Sequence, residues 1–400
     1  MLVKHLSVLP ATIAVALLLS IPAAFGATKD SVETGGMTPS SLRDCQKYPV
    51  EETYSIDSAG RRSVAAGDTG KVRVFGKGGN TMKVAVPSAD FDPHTATDAQ
   101  LRMYGFPPRP KSGPARTRWD ARYPNHKIDY VLPEMCSDPH VTHRPPQRTK
   151  PALAPDPLVS GNWSGGIAVN PPDEPPFTSA FVRWQEPSFN AGCPTASGYS
   201  IWSGLGAWDS TERPVWGLLQ AGVDNIGGSG PNDDYAFWEA LNQNEDQTLP
   251  EQHIVNMKVS ARDQVQSMTY YNPIDKTVSF QIYNLTTNKL ATLGPWSTII
   301  DATGHVMGAA SDYYDGSTGE LIAERPSVDD DYINLSQPET GYSQFLDAEL
   351  GYDSDGDPFP GYEYVGWQPI KMRSDQDLSV PTGFPTSGAT MWQNTWKACS

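Results

Sequence analysis

"VWGLLQAGVD", residues 215–224, sets one glutamine in the middle of an apolar run. A primary amide is uncharged but has four hydrogen-bonding positions to satisfy. Leaving it unpaired inside a protein costs about 1–3 kcal/mol. The run is short and bounded by turn residues, so it reads as a β-strand, with side chains alternating between two faces. Trp216, Leu218, Gln220 and Gly222 then share one face, and Val215, Leu219, Ala221 and Val223 share the other. The second face is apolar and belongs to a core. The first carries an amide, an aromatic ring and a glycine that leaves room, which suits the floor of a groove. The alternative is an amide on a solvated sheet face.

The surrounding sequence supports strands. "TSAFVRWQE", "HIVNMKVSA", "TVSFQIYNL" and "EYVGWQPIKM" are rich in β-branched and aromatic residues. Turn clusters such as "DNIGGSGPNDD", "NPIDKT" and "YYDGSTGE" separate such runs. With 35 Gly and 36 Pro in 400 residues and no long helical periodicity after residue 160, the pattern predicts an all-β sandwich or barrel. No internal repeat is visible.

The N-terminus predicts a secretory signal over residues 1–26: Lys4 and His5, an apolar core from Ile13 to Ile21, then the small residues Ala24 and Gly26. No later stretch reaches about 18 apolar residues, the length of a membrane-spanning helix. The expectation is a secreted, extracellular, monomeric protein that uses no membrane. Cys45, Cys136, Cys193 and Cys399 are an even set in an exported chain, which predicts two disulfides with three possible pairings. No pair has zinc-cluster spacing, and neither a metal nor another cofactor is expected.

Charge divides the chain. From Val159 onward there are 10 basic and 31 acidic residues, against 20 and 15 before it, so the net −16 splits into −21 and +5. The boundary falls in the Pro-rich "HRPPQRTKPALAPDPLVSGNW", which begins at His143. We therefore expect a basic pro-segment or N-terminal domain with its linker over residues 27–157, and an acidic domain over 158–400. Two ordinary domains of differing charge are the alternative. Opposite charges would hold the halves together and weaken as carboxylates protonate. Pairing of cysteines within each half would let the halves separate after cleavage. The acidic half argues against nucleic acid as a partner.

Chemistry at Gln220 needs an acid or base beside it. "TGELIAERPSV" forms a short strand with Glu320, Ile322 and Glu324 on one face. A carboxyl on a concave sheet face loses solvation, which raises its pKa toward acid–base duty. A surface carboxylate paired with Arg325 is the plain alternative.

"SGNWSGG" at 160–166, "LLQAGVD" at 218–224, "YAFWEAL" at 235–241, "NLTT" at 284–287 and "ELIAERP" at 320–326 occur in that order. Together they resemble the successive motifs of the glutamic peptidases, the eqolisin family, over about residues 158–330. The segment "DAQLRMYGFPPRP" at 98–110 is similar to one preceding the catalytic domain in some members. The resemblance implies a concanavalin-like β-sandwich of two bent antiparallel sheets, preceded by a pro-segment, with Gln220 and Glu324 as the catalytic dyad. It implies that Trp163, Trp202, Glu239 and Phe237 line the substrate cleft. Three positions depart from the family pattern. Gly206 stands where an Asp is usual, with Asp209 as a candidate replacement; Phe237 replaces a tryptophan; and Ala323 replaces a branched aliphatic.

The implied activity is acid-active hydrolysis of polypeptides, with the chain's own basic pro-segment as a further partner. Glu324 would activate a water and later protonate the leaving amine, and Gln220 would stabilise the oxyanion. Rival readings are a glycoside hydrolase using Glu239 with Glu324, or a non-catalytic carbohydrate-binding β-sandwich. Other enzyme classes fit poorly. There is no G-x-S-x-G or H-E-x-x-H; "HVTH" at 140–143 is expected to be solvated, His253 to be exposed, and "DSDGD" at 353–357 to form a turn. The sequon at Asn162 adjoins the cleft and is expected to be unmodified.

Overall fold

The computed structural model describes residues 45–63, 69–124, 126–143, 157–170, 174–190, 193, 197–206, 208, 217–226, 234–244, 247–352, 367–383 and 391–400. The expected signal segment, the linker 144–156, Val215, Trp216 and "DSDGD" lie outside these residues. Among the described residues, no helix is long and apolar enough to cross a membrane.

Gly217–Ile226, which carries Gln220, pairs antiparallel with Ser197–Gly206 on one side and Asp234–Asn242 on the other. Beyond Asp234–Asn242 lies Glu251–Val259. Beyond Ser197–Gly206 lie Thr318–Glu324, Trp163–Val169 and Gln368–Arg373. A second layer contains Tyr342–Tyr352, Phe177–Gln185, Gln264–Asn272, Thr277–Asn284 and Lys289–Trp296, each antiparallel to the next. Asp377–Thr382 and Trp392–Trp396 connect the two layers along one side. The result is a β-sandwich, as expected; from residue 157 onward no α-helix occurs among the described residues.

The period-two reading of the Gln220 strand holds. Leu219, Ala221 and Val223 enter the core between the layers, with Ile201, Ala180, Val182, Phe280 and Leu350. Leu218 belongs to a separate cluster on the opposite face, with Trp163, Trp202, Phe237 and Ile322. A register slip by one residue would exchange these two faces, so the buried core fixes which side chains line the groove. Each fully buried Leu or Ile contributes about 1.5–3 kcal/mol toward holding that register.

Residues 45–143 contribute a small sheet of their own and short strands that pair with the sandwich. Val50–Ile56, Gly70–Lys77 and Asn80–Val86 make a three-stranded sheet. Helices Asp98–Met103 and Gly113–Arg122 follow; the first opens with a capping box between Thr97 and Gln100. Leu101, Phe106, Trp119 and Tyr123 pack with Tyr283 and Leu290 of the sandwich. Arg122 is buried and its Nη2 lies 2.7 Å from Glu349 Oε2, with the guanidinium 4.2 Å from the Phe181 ring centre. Both sides of the linker thus belong to one compact unit. The disulfides are Cys45–Cys136 and Cys193–Cys399, one within each half, so no covalent bond other than the backbone joins the halves.

Candidate active site

The site is built across six neighbouring strands of the first layer. Gln220 lies opposite Glu239 in one direction and opposite Gly204 in the other. Glu324 lies opposite Ser200 and Trp163. Phe237 lies between Gly222 and His253. Gly204 has a specific role on this face: a Cβ there would come within 2.8 Å of the Trp202 ring and 3.1 Å of Leu218, so glycine lets the indole lie flat along the sheet. Gln220, Glu239, Glu324, Trp163, Trp202 and Phe237 are all fully buried.

Glu324 is held by donors on two sides. Trp202 Nε1–H donates to Oε2 at 2.7 Å, and Asn162 Nδ2–H donates to Oε1 at 2.7 Å. Asn162 is itself set by Ser160, whose hydroxyl donates to Asn162 Oδ1. Trp163 meets Trp202 edge to face at 4.9 Å and steadies the indole. Burial raises the Glu324 pKa, while His143, Trp202 and Asn162 pull it down, leaving it above the ordinary carboxylate range. The alternative pairing with Arg325 does not occur; that guanidinium stacks over Tyr332. Asn162 is fully buried and its amide is engaged.

Gln220 Nε2–H donates to Glu239 Oε2 at 2.6 Å, and the same nitrogen lies 3.5 Å from the His143 carbonyl oxygen. Gln220 Oε1 has no partner among the described residues. Burial raises the Glu239 pKa to about 8, against the opposing effect of His143 and the Gln220 hydrogen bond. Glu239 therefore acts on Gln220 as well as lining the cleft.

His143 fills the groove, contrary to the expectation that "HVTH" is solvated linker. The chain approaches along the sheet edge. Met135–Asp138 pairs antiparallel with Glu251–Ile254, and Val141–Thr142 pairs antiparallel with Ser327–Val328. This is how a peptide adds to a sheet, with backbone hydrogen bonds fixing its direction. His140 remains half-exposed beside Asp329, but His143 is fully buried. The His143 backbone N–H donates to both Glu239 oxygens at 3.3 Å. Its ring stacks on Phe237 at 4.4 Å and 13°. Nδ1 lies 3.3 Å from Glu324 Oε2, and Nε2 lies 2.9 Å from Glu251 Oε2. Burial lowers the imidazole pKa, but the carboxylates of Glu324, Glu251 and Glu239 outweigh it and hold the pKa well above the usual histidine range.

His253 is also a correction. It was expected to be exposed and is 4% exposed, with Nε2 3.1 Å from Glu251 Oε1. Its strand position, two residues after Glu251 on the same face, explains both burials. Asp224 joins this group, accepting a hydrogen bond from the Ser200 hydroxyl. Single ligand atoms of His143, Asp224 and Glu251 lie within 4.8 Å of one another, close enough to share a cation. Glu251 Oε2 meets His143 Nε2 and Asp224 Oδ1 accepts from Ser200, while Asp224 Oδ2 and Glu251 Oε1 have no hydrogen-bond partner among the described residues. Asn162, Glu251, Asp224 and His143 were not among the site residues expected from the sequence. Glu251 and His253 alternate on one strand face, which is the signal that could have exposed them; nothing local marks His143.

No family model and no curated protein matches the chain. Among solved structures, it is similar to a scytalido-glutamic peptidase with a peptide-based transition-state analogue (17% identity, TM-score 0.41). It is also similar to the same type of enzyme with a transition-state analogue inhibitor (16%, 0.40). A third likeness is to SCP-B, a member of the eqolisin family of peptidases in complex with the tripeptide Ala-Ile-His (17%, 0.38). Each match covers 59% of this chain and 98% of the other. The neighbours belong to the family that the ordered motifs resemble.

Proposed function

We propose that the chain is a secreted, acid-active endopeptidase using Glu324 and Gln220, made as a latent monomer whose cleft is closed by its own N-terminal part. The observation that carries this reading is the way one peptide unit of the chain is held. The His143 N–H meets Glu239, its carbonyl faces the Gln220 amide, and its ring meets Glu324. A groove that recognises both ends of a backbone unit suits a polypeptide better than a sugar, which favours peptidase over glycosidase action by Glu239 and Glu324.

With a substrate carbonyl at the Gln220 amide, ionised Glu324 takes a proton from water, and the resulting hydroxide attacks the carbonyl carbon. The Gln220 N–H donates to the developing oxyanion, an interaction typically worth about 2.7–4 kcal/mol. Gln220 Oε1 is an acceptor that can orient the water. Protonated Glu324 then donates to the amine nitrogen as the C–N bond breaks. The donors Trp202 and Asn162 favour the carboxylate form, and uncovering the cleft removes the burial that raises its pKa.

Latency follows from residues 141–143 filling the groove that a substrate backbone would enter. Activation would be a cut in the 144–156 linker followed by loss of residues 45–143, which the disulfide pattern permits. Two disulfides suit an oxidising extracellular setting.

The test is incubation of the purified full-length chain at pH 3–4 with a denatured protein, beside Glu324→Gln and Gln220→Ala, with N-terminal sequencing of shortened forms. The wild type should digest the protein and shorten itself, and both variants should do neither. Equal digestion by Glu324→Gln, or release of reducing sugar from a polysaccharide without proteolysis, would overturn the proposal.

A further inference from the structure

We propose that Phe237 and Glu251, supported by Asp224, form the pocket that reads the residue on the acyl side of the cleaved bond, and that the residue it selects is histidine. This rests on the peptidase reading above and adds to it a substrate class and a specificity residue.

The side assignment comes from one residue. The carbonyl that faces the Gln220 amide and the side chain that fills the pocket both belong to His143. If that carbonyl position is where the oxyanion develops, the pocket holds the acyl-side residue. The selection comes from shape and hydrogen bonding. Phe237 supplies a flat plate at 4.4 Å. Glu251 supplies an acceptor at 2.9 Å on one edge of the ring, and Glu324 a second at 3.3 Å on the other. An imidazole is planar and carries nitrogens on two edges, the features that this plate and these two acceptors meet. Phenylalanine would match the plate but leave Glu251 facing a C–H edge. Lysine would bring charge but no plane, and leucine would bring neither. Glu251 is fully buried, so it has no water to turn to when its partner is missing. A site built to hydrogen-bond its substrate discriminates against analogues that lack the group, because its own buried groups are left unpaired.

Glu251 stands on Glu251–Val259, two strands from Gln220 and farther still from Glu324, so its side chain can change without altering either member of the dyad. The chain's own segment thus lies in the groove as a ligand with the preferred side chain already seated.

The test uses the full-length chain after incubation at pH 3–4, where the proposed cut and loss of residues 45–143 open the groove. Cleavage is measured on peptides identical except for His, Phe, Lys or Leu before one bond. The His peptide should have a kcat/KM about ten- to a hundredfold above the Leu peptide. Adding Glu251→Leu should collapse that ratio to near one while Leu-peptide cleavage persists. Equal cleavage of all four peptides, or a preference unchanged by Glu251→Leu, would overturn the pocket while leaving the peptidase standing. If no peptide is cut, imidazole binding to full-length His143→Gly, whose side-chain pocket is empty, decides by calorimetry. Binding that Glu251→Leu abolishes upholds the pocket and removes the peptidase reading; no binding, or binding that Glu251→Leu leaves unchanged, removes both.

Discussion

Gln220 and Glu239 face each other across paired strands, with Gln220 Nε2 2.6 Å from Glu239 Oε2. That bond fixes the rotation of the amide and aims its remaining N–H toward the His143 carbonyl. An oxyanion donor works only when it is pre-aimed. Glu239→Ala is therefore expected to lower kcat about ten- to a hundredfold and, because Glu239 also accepts the backbone N–H, to raise KM, with Glu239→Gln restoring part of the kcat loss. Steady-state kinetics on one peptide checks this. A rise in KM at constant kcat would instead make Glu239 a substrate contact only.

Trp202 Nε1 donates to Glu324 Oε2 at 2.7 Å, and this bond is made to the charged form of the acid. Removing it in Trp202→Phe keeps the ring and takes away the donor. Hydrogen bonds to charged groups are worth about 1.5–3 kcal/mol. The Glu324 pKa should rise by about one to two pH units. The acid limb of kcat/KM against pH should move up by the same amount. An acid limb that stays in place would mean that Trp202 only packs.

Several carboxyl groups lie in the sandwich with pKa values raised by burial: Glu186, Asp224, Glu239, Glu251, Glu320 and Glu324. A group whose folded pKa is raised contributes stability that is full below its unfolded pKa and is lost as pH rises through its folded pKa. For Glu239 the window runs from about 4.5, the ordinary glutamate value, to about 8. His253, whose pKa is lowered by burial, acts in the opposite sense and loses its contribution as pH falls. The carboxyl groups outnumber it. The melting temperature of the full chain carrying Glu324→Gln should be highest near pH 4 and fall toward pH 8. A melting temperature that climbs through that range would contradict this.

The same sign bears on activation. Surface attraction between the +5 and −21 halves weakens in acid, but the buried carboxyl groups under residues 45–143 bind protons more readily when covered. Acid alone thus has opposed effects on the contact between the halves, and in the proposed activation the cut is the step that would make departure one-way. Arg122 is one buried link between the halves, with Nη2 2.7 Å from Glu349 Oε2. Breaking a buried pair from one side typically costs about 3–5 kcal/mol. Arg122→Ala should therefore speed self-shortening and the onset of activity in acid at least tenfold. An unchanged onset would place the hold elsewhere.

The period-two pattern carried most of the fold. It placed Leu219, Ala221 and Val223 inward and Gln220 on the groove face, because burial of one sheet face permits only one register. The same logic placed Glu324 with Ile322. What the sequence concealed was partnership. Glu239 reads as a lining residue, and only its register against Gln220 shows what it holds. His143 sits at the edge of a Pro-rich stretch, where composition points to solvent. Its burial depends on a long-range fit to Phe237, Glu251 and Glu324, and no local periodicity encodes that. Helices Asp98–Met103 and Gly113–Arg122 are too short for a helical period to stand out in the sequence.

Gly206 stands where the resembled family has an aspartate, and the backbone shows why an aspartate does not fit here. Its φ is +105°, a left-handed value that side chains rarely adopt, and a Cβ would lie 2.0 Å from the Gly217 carbonyl oxygen. Asp315 Cβ would be 3.1 Å from the same atom, so a carboxylate would also meet an acidic neighbour. Restoring the family residue with Gly206→Asp should therefore damage the chain rather than improve its activity. Strain of this kind costs about 1–3 kcal/mol before the clash is counted. Gly206→Ala shares the strain and the clash without adding charge, so both variants should lower the melting temperature by about 5 °C or more. Gly206→Asp should lower it further at pH 7 than at pH 4, where its carboxyl begins to protonate. A Gly206→Asp chain that melts with the wild type would show that the strand end moves to accept a side chain, and the aspartate could then be added back as a functional group.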